Sequence, residues 1–154
     1  MTASMSDLIV ASILVVQDSD EDFDTLSDAA AKAGVTRMIQ RVLSGGDCLA
    51  MLRGEIDVGL PLLPALILMD LHSHVVDGRE ALVAIKPDAS LKEIPLGVLT
   101  TSASPKDVAF CYQAGVNAYH VKPVRHDQYL LLLRSLLNYW LVSATLPPTL
   151  VKVD

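Results

Sequence analysis

The chain has 154 residues, 51% of them apolar, which fits one domain with a sizeable core, since single cores commonly hold about 100–200 residues. Its formal charge of −6 argues against non-specific nucleic-acid binding, which needs a basic footprint. The two cysteines, Cys48 and Cys111, lie inside apolar helical patterns and read as buried thiols rather than a secreted disulfide framework.

The first apolar run, SILVV (12–16), reads as a strand that ends at Gln17 and Asp18. DSDEDFDTLSDAAAKAG follows as a helix, with Ser19 as cap, Asp22 three residues on as in a capping box, and Gly34 as stop. The acids Asp20, Glu21, Asp22 and Asp24 then read as a solvated helix start that favours the helix dipole. RMIQRVL (37–43) fits a second strand and GGDCLAMLRG a short second helix. After a turn-rich connection with Pro61 and Pro64, ALILM (65–69) is a continuous apolar run ending in Asp70, the look of a strand buried on both faces. GREALVAIK (78–86) is a third helix stopped by Pro87, and PLGVLTT (95–101) a fourth strand. SPKDVAFCYQAG (104–115) is a fourth helix, with Ser104 as cap, Pro105 in the first turn and Gly115 as stop. NAYHV (117–121) is a fifth strand leading to Lys122-Pro123, and HDQYLLLLRSLLNYW (126–140) a fifth helix.

Five strands alternating with five helices imply an α/β domain, a doubly wound parallel sheet with helices on both faces and right-handed crossovers. The longest apolar stretch, VGLPLLPALILM, is about half the ~20 residues a membrane span needs. No basic residue precedes the N-terminal apolar run, as a signal peptide would require. The expectation is a cytoplasmic protein with no membrane and no nucleic-acid partner.

In such a sheet the carboxyl ends of the strands converge on one crevice. Here they bring Asp18, Asp70, the Thr100-Thr101 pair and Lys122. Two carboxylates, a hydroxyl and an ammonium suit a hard cation and a phosphoryl group. Mg²⁺ takes oxygen ligands and keeps several waters, so Asp18, Asp70 and a backbone carbonyl at His72 suffice to hold it. Asp70, central among these groups, is the candidate nucleophile. Thr100 would donate to one phosphoryl oxygen and Lys122 would pair with another. The H-x-H of His72 and His74 has no third ligand at a zinc spacing and reads as loop histidines.

The segments ILVVQD, LILMDL, DGRE, GVLTTS and AYHVKP, in this order and spacing, resemble the receiver domain of two-component response regulators, the CheY-like proteins. The resemblance spans residues 12 to 140. It implies a flavodoxin-like sheet of order 2-1-3-4-5, with Asp70 taking a phosphoryl group from a phosphohistidine on a sensor histidine kinase beside a bound Mg²⁺. It also implies a switch in which Tyr119 turns inward as Thr100 engages phosphate, and positions at His72 and Ser102 that tune dephosphorylation. In this family the residue at Gln17 is usually an acid that reaches the metal through water; the amide oxygen of Gln17 can still accept from such a water, with one charge fewer. The proline usual near His74 is also missing. The long connection before the third strand, the LTTS motif and the ending DQYLLLLRSLLNYW are similar to the small single-domain regulators that partner bacterial phytochromes. That narrower resemblance implies a bacteriophytochrome kinase as phosphodonor and a homodimer.

The receiver domain is expected at 8–140 and an extension without an output domain at 141–154. On the last helix Tyr129, Leu130, Leu133, Leu137 and Trp140 belong to an apolar surface wider than one core stripe. A homodimer face is favoured there over a helix covered by the tail. Signalling by protein–protein contact is the leading reading; a pseudo-receiver that is poorly phosphorylated because of Gln17 is the alternative. A phosphohydrolase is disfavoured, since the second acid such enzymes want two residues after the nucleophile is His72.

Overall fold

The computed structural model describes residues 11–55, 62–71 and 75–148. Strand β1 (Ile13–Val16) is apolar and buried at all four positions. The fall from Val16 to the polar Gln17-Asp18-Ser19 ends it. Ser19 then caps helix α1 (Asp20–Lys32), its Oγ accepting from the Asp22 backbone N–H at 3.3 Å, as the sequence predicts. Strand β2 (Ile39–Val42) is half-buried and stands at the sheet edge. Helix α2 (Gly45–Leu52) is capped by Ser44, whose Oγ accepts from the Asp47 N–H.

Strand β3 (Leu66–Leu71) is followed by helix α3 (Val75–Ile85), which starts three residues before the sequence pattern suggests. Strand β4 (Leu96–Thr100), helix α4 (Pro105–Gln113) and strand β5 (Ala118–Val121) come next. Pro105 opens α4 as expected, but the Ser104 side chain makes no capping hydrogen bond. The fixed φ of the proline and its absent N–H already suit the first turn. Gly115, at φ +101, closes α4; a Cβ there would meet Lys86 Cβ at 3.0 Å. Helix α5 (His126–Asn138) runs into a π-helical turn, Tyr139–Ser143.

The strands pair in parallel in the order β2-β1-β3-β4-β5, the order the resemblance implies. Alternation divides the core in two. Leu14, Val16, Ile67, Met69, Leu96 and Val98 face α2, α3 and α4. Ile13, Val15, Leu66, Leu68 and Leu99 face α1 and α5. Cys48 and Cys111 are both buried thiols, and burial raises the Cys111 pKa.

The apolar face of α5 differs from the expectation of a dimer face. Tyr129, Leu133 and Leu137 are 8%, 0% and 1% exposed, packed against the chain's own sheet. Leu130 and Trp140 are half-buried against the same core. The stripe is wide because α5 covers the sheet while also lying against α1, and a helix with two neighbours needs a broader apolar arc. Leu133→Ala is therefore expected to cost about 2–5 kcal/mol in chemical denaturation, whereas Leu131→Ala, at a position 60% exposed, stays close to wild type. Equal, small losses for both would contradict this packing.

Candidate functional site

The register of the sheet assembles the site. Val16 lies level with Met69, so Gln17 and Asp70 leave the ends of adjacent strands side by side. Thr100 is level with Leu71 on one side and Val121 on the other. The Lys122 N–H then donates to the Thr100 carbonyl at 2.7 Å, fixing the backbone from which the lysine side chain rises. On the other flank Arg41, on β2, donates from Nε to the Gln17 carbonyl at 2.8 Å and from Nη1 to Asp20 at 2.7 Å. Its guanidinium lies 5.0 Å from the Phe23 ring centroid, so the turn after β1 is clamped from the edge strand.

Four polar side chains, Gln17, Asp70, Thr100 and Lys122, are buried here, between 1% and 8% exposed. Burial of polar groups is costly unless they find partners, and they do. The Lys122 ammonium is ion-paired with Asp70 Oδ1 and lies 3.2 Å from Asp22 Oδ2. The Gln17 amide nitrogen donates to Asp70 Oδ2, while its oxygen accepts from the Ser19 N–H at 2.8 Å. A carboxylate can only accept and an N–H can only donate, so these two partners together fix the amide orientation.

That orientation departs from the sequence expectation. The Gln17 oxygen is directed at the helix entrance rather than at a metal-bound water, and the amide nitrogen covers the central acid. Asp22 departs too. The sequence pattern puts it at the solvated start of α1, yet its carboxylate turns to Lys122, while Asp20, on the same turn, is 90% exposed at its side chain and pairs with Arg41. A residue at the third helical position projects back over the helix N-terminus, and that direction here is the crevice. The acids Asp18 and Glu21 are exposed.

Beneath Lys122 lies Tyr129, its ring centroid 5.9 Å from the ammonium. Burial, then the Asp70 and Asp22 charges, push the Tyr129 phenol well above its ordinary pKa. Thr100 Oγ1 accepts from the Ser102 N–H at 3.2 Å. The Tyr119 hydroxyl donates to the Ser102 carbonyl at 2.8 Å, and burial raises its pKa. Ser102 Oγ in turn donates to Asp107 at 2.5 Å. Asp107 is also ion-paired with Arg79, whose guanidinium stacks 4.7 Å from the Phe110 ring centroid. Thr100, Ser102 and Tyr119 thus join one network that runs into α3 and α4. His72, expected to lend its carbonyl, and His74 lie outside the described residues.

No family model matches the chain. Response regulator Rcp1 of Synechocystis is 32% identical over 135 residues, covering 88% of this chain and 92% of that protein. The chain belongs to the receiver-domain response regulators. The probable methanogenesis regulatory protein FilR2 of Methanothrix harundinacea is 34% identical over 129 residues, covering 84% of this chain and 83% of its own. Among solved structures, the phosphorylated cyanobacterial phytochrome response regulator RcpA superposes with a TM-score of 0.82 at 35% identity, over 89% of this chain and 98% of that one. The bacteriophytochrome response regulator RtBRR does so with a TM-score of 0.69 at 32% identity, over 91% and 86%. The Mn²⁺-bound form of Rcp1, with a TM-score of 0.82 over 90% of this chain and 99% of that one, shows that this kind of domain takes a divalent metal. Response regulators are signalling proteins, and the chain's place is that of a receiver in a phosphorelay.

Proposed function

We propose that Asp70 is the phosphoacceptor of this response regulator and that Mg²⁺ is the metal it uses. The observation that carries this reading is the burial of Asp70 at the carboxyl end of the central strand, with Lys122 on one oxygen. Asp22 and Asp70 set two carboxylates against one ammonium, leaving one net negative charge, and the exposed acid Asp18 follows the end of the adjacent strand β1. Hard oxygen donors with that charge fit a hard divalent cation. Asp18 and Asp70 would hold the ion, with the His72 carbonyl as a further donor. Bound there, it would supply positive charge against that developing on the transferring oxygens.

In the reaction an Asp70 oxygen forms a bond to phosphorus as the N–P bond of a phosphohistidine protonated on its other ring nitrogen breaks; the bond pair stays with the imidazole, which leaves neutral. Lys122 then pairs with a phosphoryl oxygen. The Thr100 hydroxyl proton remains to donate to another, since its oxygen is what meets the Ser102 N–H. Tyr119, already tied to the Ser102 carbonyl, would carry that change along the β4–α4 loop to Arg79 and Asp107, a population shift between two arrangements.

The phosphodonor in this reading is a sensor histidine kinase of the bacteriophytochrome kind, supported by the likeness to RcpA and RtBRR. The receiver domain is placed at 8–140, with 141–154 as an extension, and the protein in the cytoplasm. Among the described residues no helix is long and apolar enough to cross a membrane. A homodimer formed through the C-terminal region would use exposed Leu131, Tyr139 and Val142 rather than the buried face of α5. The test is phosphotransfer from an autophosphorylated phytochrome-type kinase. The expected result is loss of label from the kinase with stoichiometric gain on this protein. A kinase that keeps its label, with no gain from acetyl phosphate either, would favour a pseudo-receiver.

A further inference from the structure

We infer that Asp22 is a positioning residue, the resting counter-ion of Lys122, and that it competes with the phosphoryl group for that ammonium. The inference rests on the reading of Asp70 as phosphoacceptor. Its basis is geometric. Lys122 is 6% exposed at its side chain and sits between two carboxylates from different elements, Asp70 on β3 and Asp22 in the first turn of α1. The Tyr129 ring face lies on a third side, so the ammonium has little room to leave.

Phosphorylation of Asp70 turns the carboxylate that holds Lys122 into an acyl phosphate and places a more negative group farther along the same direction. Asp22 is unchanged by that event, so it is the partner Lys122 keeps in both states. Its negative charge lowers the pull that Lys122 exerts on an incoming anion and raises the pull of the crevice on a cation. Gln17 contributes no charge, so Asp22 is the acid that supplies it from the helix side.

The two ligand classes must then respond with opposite sign. In Asp22→Asn, the affinity for beryllofluoride, an anionic phosphoryl mimic that bonds to a carboxylate, rises about tenfold at saturating Mg²⁺, mid-range for coupling inside one ion-pair network. Mg²⁺ affinity, read separately by tryptophan or tyrosine fluorescence, falls by a similar factor. Glu21→Gln removes an exposed acid from the same helical turn and leaves both affinities as in wild type. A purely structural role for Asp22 at the helix start would lower both affinities together. In a Lys122→Met background the Asp22→Asn gain in beryllofluoride affinity disappears. A gain that persists there, or no gain with Lys122 present, overturns the proposal. A wild type that takes no beryllofluoride overturns the Asp70 reading instead. The resting pair is then judged by denaturation of the two single variants and the double: additive losses would remove the pair as well.

Discussion

Gln17→Glu is expected to lower the stability of the metal-free protein and to tighten Mg²⁺ binding by about tenfold or more. Gln17 is 1% exposed and its amide donates to Asp70. A carboxylate in its place loses that donor and faces a second buried carboxylate, and the Ser19 N–H alone does not offset the repulsion. Like charges sharing a site and a buried charge without a counter-ion cost about 2–4 kcal/mol. For a domain of this size that is a fall of roughly 5–15 °C in Tm. A divalent cation removes the penalty, because unit charges about 4 Å apart interact by ~4 kcal/mol near a protein surface. Melting curves with and without Mg²⁺ decide the matter. The expected pattern is a lower Tm without metal and a larger Mg²⁺-induced rise than in wild type. A Gln17→Glu protein as stable as wild type without Mg²⁺, or one with unchanged Mg²⁺ affinity, would contradict the role given to the amide.

Asp70→Asn should abolish phosphorylation while leaving a folded protein. Removing one partner of a buried ion pair commonly costs about 3–5 kcal/mol because the other charge is stranded. Lys122 is not stranded here, since Asp22 remains 3.2 Å away, so denaturation should report a loss below that range. Labelling from kinase or acetyl phosphate should be absent. The combination matters: a variant that unfolds would leave the loss of labelling without meaning, and the Asp22 contact is the reason to expect that it does not.

Much of this was legible in the sequence. Continuous apolar runs marked the buried strands, Ser19, Pro105 and the glycines after α1 and α4 marked helix ends, and strand-terminal polar residues marked Asp70, Thr100 and Lys122. What escaped was which partner each polar group would take. An acid at the third position of α1 satisfies the helix dipole whether or not it touches anything else, so Asp22 had a sufficient local explanation. The signal that could have exposed it was its position on a helix that begins just past the site strand. Gln17 offers both a donor and an acceptor, and composition cannot say which end meets the acid; the Ser19 N–H decides that. The apolar stripe of α5 misled for a similar reason. Its width records two covering neighbours, and periodicity does not tell whether the second is another helix of the same chain or another molecule.

Everything proposed for this site follows from phosphorylation at Asp70. Its most direct measurement is peptide mapping by mass spectrometry after incubation with acetyl phosphate and Mg²⁺. One hydroxylamine-labile phosphoryl group is expected, on the peptide that contains Asp70, and none in the Asp70→Asn protein. Full labelling of Asp70→Asn, or a phosphoryl group mapped to any other residue of the wild type, would contradict it.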